Sequence, residues 1–158
     1  MNWIAWFAAG FGGTVLLTTT LAASQGLGLT RINIPYLLGT MATADRDRAT
    51  ALGIAIHLVN GLLFSLVYVA VFHALGDSSW WLGGAVGLAH GLFVVAVAVP
   101  ALPGLHPRMA SETTGPGAER LLEPPGFLAR NYGDGTPVSI LLGHVLFGIV
   151  LGAFYSIP

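Results

Sequence analysis

Four stretches of this chain, 2–24, 51–75, 80–102 and 137–157, contain no lysine, arginine, aspartate or glutamate. Each exceeds the ~20 residues that a helix needs to cross the hydrocarbon of a bilayer. A soluble domain carries a charged shell of roughly a quarter of its residues. Here 8% of 158 residues are charged and 54% are apolar, so the chain cannot coat a water-soluble core. The predicted fold is all-α: a single domain forming a four-helix transmembrane bundle. Its spans are expected at about 3–24, 51–75, 80–102 and 137–157, with a long loop over 103–136.

The connections carry the polar residues. Gly26, Gly28 and Pro35 interrupt helix after the first run, while Ile32, Ile34, Tyr36, Leu37 and Leu38 avoid water. A short interfacial or re-entrant segment packed on the bundle is expected there. Asp45 to Arg48 then cap the second run. The link 76–79 is short, which predicts an antiparallel hairpin of runs two and three. Thr136 can cap the last run, with Pro137 at its first helical position. Leu121, Leu122, Phe127 and Leu128 suggest that part of 103–136 lies on the bundle or on the membrane surface.

Arginine sets the orientation. All six (Arg31, Arg46, Arg48, Arg108, Arg120, Arg130) fall after runs one and three, and all four tryptophans fall at the opposite edge. The positive-inside rule puts the arginine-bearing connections in the cytoplasm and both termini outside, in a cell inner membrane. The first run lacks a basic leader and reads as a span, not a cleaved signal peptide. With no lysine and a formal net charge of −1, there is no nucleic-acid footprint. The absence of cysteine excludes disulfides, thiolate metal sites, iron–sulfur clusters and covalently attached haem.

Runs two and four share a spacing. His57 is followed by Gly61 and Tyr68, and His144 by Gly148 and Tyr155, at plus four and plus eleven in both cases. Aligning Gly12–Gly13 with Gly83–Gly84 pairs Thr19 with His90. The pattern is compatible with two pseudo-repeated helical hairpins, an arrangement known from transporters.

His57, His90 and His144 are the chemically telling residues, because an ionisable side chain at membrane depth is costly and normally faces the bundle interior. If all three point inward they meet, and imidazole suits haem iron, zinc or copper. Haem b would take two axial histidines, with Gly61, Gly87, Gly91 and Gly148 leaving room for the macrocycle and Arg48, Arg108 or Arg130 reaching its propionates. A mononuclear transition metal would use all three, with an open position. Asn60, Thr19, Tyr68 and Tyr155 are candidates to support such ligands. The competing reading is interhelical hydrogen bonding that fixes helix register. His73 and His106 are expected at an interface or in solvent. Gly148 and Gly152 form a small-residue face for close packing within the bundle or with a partner.

Several short motifs run along nearly the whole chain: Gly10-Phe11-Gly12-Gly13-Thr14, Leu37-Leu38-Gly39, the His57 span, Gly87-Leu88-Ala89-His90-Gly91, and Gly143-His144 with Gly148 and Tyr155. In these the chain resembles a prokaryotic family of uncharacterised four-span membrane proteins, a domain of unknown function. Thr14-Val15-Leu16-Leu17 departs from the methionine-bearing pattern of that stretch. The resemblance implies the topology and the three histidines, and brings no activity. The functional expectation is therefore a membrane protein with a histidine-lined site for haem b or a transition metal, serving electron transfer, metal handling or sensing. The alternatives are a non-catalytic subunit or assembly factor of a larger membrane complex, a homo-oligomer, or a minimal transporter. No nucleophile–base arrangement marks the chain as an enzyme.

Overall fold

The computed structural model describes residues 1–111, 115 and 117–157. It is all-helical: α1 (Trp3–Gly26), α2 (Ile34–Gly39), α3 (Arg46–Leu75), α4 (Trp80–Leu105) and α5 (Thr136–Phe154). A tight-turn segment, Phe127–Tyr132, precedes α5. Helices α1, α3, α4 and α5 are each long and apolar enough to cross a membrane, which makes this a multi-pass membrane protein in contact with lipid.

Local chemistry sets the ends. The Asn2 side chain accepts from the Ala5 N–H at 3.1 Å and starts α1. Asp45 does the same for α3 through the Arg48 N–H, at 2.8 Å, as the charged cluster there suggested. Gly76, at φ +67°, closes α3 in the left-handed conformation that glycine adopts without strain. Helix α5 differs from expectation. Gly135 occupies its cap position. The Thr136 hydroxyl instead pairs with that of Thr30 at 2.7 Å, tying the start of α5 to the end of the α1–α2 connection.

Neighbours follow the small residues. A methyl group on Gly83 would collide with the Gly148 carbonyl, and one on Gly152 with the Ser79 carbonyl, so α4 and α5 approach backbone to backbone. The small-residue face of α5 is therefore occupied within the bundle. Helix α5 also packs on α1, α1 on α3, and α3 on α2, where Gly53 abuts the Pro35 carbonyl. The order across the bundle is α2, α3, α1, α5, α4.

Helices α3 and α4 share a short link, yet their backbones scarcely approach each other. Runs two and three are joined by the expected short link, but their faces stand apart. The glycine stripe of α4 is turned toward α5, and large side chains (Phe64, Tyr68, His90) stand in the gap between α3 and α4. Within α4, residues Val94–Ala98 form a π-helical turn, with the Val99 N–H bonded to the carbonyl of Val94, five residues back. Such turns hold one residue more than an α-turn.

The two ends of the bundle differ. Asn2 and Ser156 lie side by side (3.4 Å), so both termini share the tryptophan end. The arginine end is roofed by the long connection. Its Met109 and Leu122 form a bridge, and Tyr132 donates to the Glu123 carbonyl at 2.7 Å. Arg31 pairs with Glu123 at 2.9 Å. Leu128 and Ala129 hold positive φ (53° and 61°), with Ala129 fully buried. His106 is buried, not solvated: its Nε2–H donates to the Leu37 carbonyl at 2.9 Å, and its Nδ1 accepts from the Arg108 N–H at 3.1 Å. It pins the roof to α2.

Candidate functional site

Where α3 and α4 part, a cavity of about 200 Å³ opens in the arginine-bearing half of the bundle. All five helices wall it. From α3 come His57, Asn60, Gly61 and Phe64, spaced to lie on one helical face. From α5 come Ile140, His144 and Phe147, with the same periodicity. Helix α4 supplies His90 and Val94, then Ala98 and Leu102, each four residues on. An unbroken α-helix would drift off the cavity over that distance, and the π turn keeps the stripe aligned. Thr14, Leu17 and Leu21 of α1 and the apolar side of α2 complete the wall. Phe64 and Phe93 stand on the two sides of the gap and are 41% and 50% exposed. Both sit well inside long apolar helices, so the mouth of the cavity faces hydrocarbon.

The three sequence-predicted histidines all line this cavity. The rings of His90 and His144 lie 4.6 Å apart, centroid to centroid, at 78°. His144 donates from Nδ1 to the Ile140 carbonyl at 2.8 Å. His90 meets the Tyr68 hydroxyl through Nδ1 at 3.0 Å and stacks on Phe64 at 4.5 Å. His57 Nε2 is buried with no hydrogen-bond partner among the described residues. Among those residues no group of three or more His, Cys, Asp or Glu side chains is placed to hold a metal ion. The imidazoles share a cavity without forming a ready-made coordination shell.

The supporting residues divide. Asn60 lines the cavity and Tyr68 holds His90. Thr19 is exposed and bonds back to the Val15 carbonyl at 2.8 Å, the usual way for a threonine to satisfy itself in a helix. Tyr155 bonds His73 at 2.8 Å, at the tryptophan end. Arg48, Arg108 and Arg130 do not line the cavity, and Arg108 donates to the Thr40 carbonyl at 2.8 Å. The glycines named as room for a macrocycle are mostly filled by neighbouring helices. Gly87 and Gly148 meet carbonyls across the α4–α5 contact, and Gly91 meets His144 Cβ. Gly61 lines the cavity but is pressed by Thr14. Sequence reasoning missed Thr14, Phe64, Phe93 and the π turn. The helical spacing of Phe64 from His57 and Asn60 was the signal available for that residue.

No family model matches this chain, and neither a curated protein nor a solved structure matches it. The class rests on its own geometry: a four-span helical membrane protein with a histidine-lined cavity open between α3 and α4.

Proposed function

We propose that this protein binds a lipophilic small molecule that reaches the histidine-lined cavity from the bilayer. One observation carries the reading. An apolar cavity at membrane depth holds the His57 Nε2, buried with no partner among the described residues, beside the Asn60 side chain, and its mouth is flanked by two lipid-facing phenylalanines. Small-molecule sites are largely apolar concavities with a few convergent polar groups. Enclosed sites for drug-sized ligands run ~300–1,000 Å³, so a cavity of about 200 Å³ suits the head of a longer molecule whose tail leaves through the mouth. In this reading the protein sits in the inner membrane with its arginine-bearing end in the cytoplasm.

Transition-metal binding is the second reading, and a specific arrangement favours it. His144 donates from Nδ1 to a carbonyl and leaves Nε2 unengaged, the pattern of a metal-ligating histidine held by its outer partner, and His90 would match it once its Nδ1–H donated to the Tyr68 oxygen. His57 would have to turn in to complete the set. Haem fits less well, because the glycines that would admit it are used for helix contact.

The test is solvent extraction and mass spectrometry of the protein purified from membranes, beside elemental analysis and an optical spectrum. A co-purifying lipophile that is depleted in Ala98→Phe, a substitution that fills the cavity, supports the first reading. Stoichiometric metal or a Soret band lost in His90→Ala and His144→Ala supports the second. Folded protein carrying neither overturns both and leaves the histidines as register-fixing groups or the chain as a subunit of a larger complex.

A further inference from the structure

Resting on the lipophile reading, the hydrogen bonds around His90 and His144 specify the chemistry of the ligand's head. Tyr68 is fully buried, and its hydroxyl meets one partner among the described residues, His90 Nδ1. A buried O–H needs an acceptor. The phenol therefore donates to Nδ1, and a neutral His90 carries its own proton on Nε2. His144 is the reverse case. A carbonyl only accepts, so its contact with Ile140 places the His144 proton on Nδ1 and leaves Nε2 with a bare lone pair. The two rings are adjacent, but no hydrogen bond joins them. One donor and one acceptor thus stand together on the wall of an apolar cavity. No carboxylate, arginine or lysine lines that wall to balance a charged ligand.

A hydroxyl is the simplest group that satisfies both nitrogens: its oxygen accepts from His90 Nε2–H and its proton goes to His144 Nε2. We propose that the cavity recognises a neutral lipid with a hydroxyl head, an alcohol or a phenol. Carboxylates and phosphodiesters are disfavoured because they bring charge with no counter-ion. Ketones and esters are disfavoured because they leave His144 without a donor. His57 Nε2, without a partner among the described residues, and the cavity-lining Asn60 amide form a second polar station on α3. A para-quinol has a second hydroxyl for that station, whereas an isoprenol does not, so Asn60 separates the two sources.

The experiment uses the full chain in lipid nanodiscs and a diazirine-bearing isoprenol as photoaffinity probe, with labelled peptides mapped by mass spectrometry. Labelling is expected on the α3 and α4 walls, around Phe64 and Phe93. Unlabelled isoprenol or quinol should compete at least about tenfold better than its own methyl ether, which cannot donate to His144. Asn60→Leu should weaken competition by quinol and leave that by isoprenol unchanged if the ligand is a phenol with two oxygens. Equal weakening of both overturns the second polar station and assigns Asn60 to packing. Wall labelling with equal competition by alcohol and ether overturns the hydroxyl assignment alone, as when a water bridges the two imidazoles. Labelling confined to the outer lipid-facing surfaces overturns the cavity reading with it.

Discussion

The backbone-to-backbone contact between α4 and α5 makes the sharpest stability prediction. Gly148 of α5 presses on the Gly83 carbonyl of α4, whereas a methyl group on Gly12 of α1 would meet nothing within 4 Å. Replacing glycine by alanine in a helix interior adds roughly 1 kcal/mol of helix preference at either site. At Gly12 that gain stands alone, so Gly12→Ala should be neutral or stabilising by up to about 1 kcal/mol. At Gly148 the added methyl strikes backbone, which cannot swing aside like a side-chain tip, and the helices must part. Overpacking of this kind costs ~1–3 kcal/mol, with lost contacts along the rest of the seam adding to it. Gly148→Ala should therefore lie about 1–3 kcal/mol below Gly12→Ala. Reversible unfolding in mixed micelles, followed by circular dichroism, measures both variants against the same baseline. If Gly148→Ala unfolds at or above the denaturant midpoint of Gly12→Ala, the backbone-to-backbone α4–α5 contact is wrong.

The remaining predictions concern the two polar anchors, the roof and the orientation. Tyr68→Phe should destabilise by about 1 kcal/mol through loss of the bond to His90, and nitrogen NMR of labelled histidine should show the His90 tautomer population change. His106→Ala leaves the Arg108 N–H unpaired and takes one of two donors from the Leu37 carbonyl, which keeps the Thr40 hydroxyl; the cost of ~1–3 kcal/mol should appear as faster proteolysis within 103–136. Burial and the nearby Glu123 carboxylate, opposed in part by Arg31, push the Tyr132 hydroxyl up to about 12. The unfolded phenol titrates near ~10, so its contribution to the roof is intact below that pH and declines as pH rises toward about 12; the roof should resist protease at pH 9 and lose that resistance above pH 11 in wild type more than in Tyr132→Phe. Because the chain has no cysteine, single cysteines at Ser78 and Arg130 give a clean topology assay. With an impermeant maleimide on intact cells, Ser78→Cys should react and Arg130→Cys should react only after permeabilisation.

The four spans were legible because charge exclusion over more than twenty residues has one common physical cause, and their limits agree with the structure to within a few residues. The arginine and tryptophan ends were equally plain. Neighbour relations were not. A four-residue link brings the ends of α3 and α4 together, but it does not say that their faces meet, and the glycine stripe that sends α4 to α5 is readable only once its partner stripe is known. The three histidines were singled out by the cost of burying them, and all line one cavity. Their coordination geometry depends on ring orientations set by Ile140, Tyr68 and Phe64, which no spacing reveals. Thr19 was paired with His90 by an alignment of glycines and lies outside, on the exposed side of α1. His106 was read as interfacial or solvated because it lies in the long connection, but that connection folds back over the bundle and buries it.

The surplus residue in α4 has a bearing on movement. A π turn is a dislocation in an otherwise regular rod, and a dislocation can migrate by exchanging one hydrogen-bond partner at a time, without melting the rod. The prolines at 100 and 103 block its passage toward the arginine end, since neither can supply the N–H that each exchange requires. Travel is open only in the direction of His90. One step that way would turn the next side chains about the helix axis and re-face the imidazole.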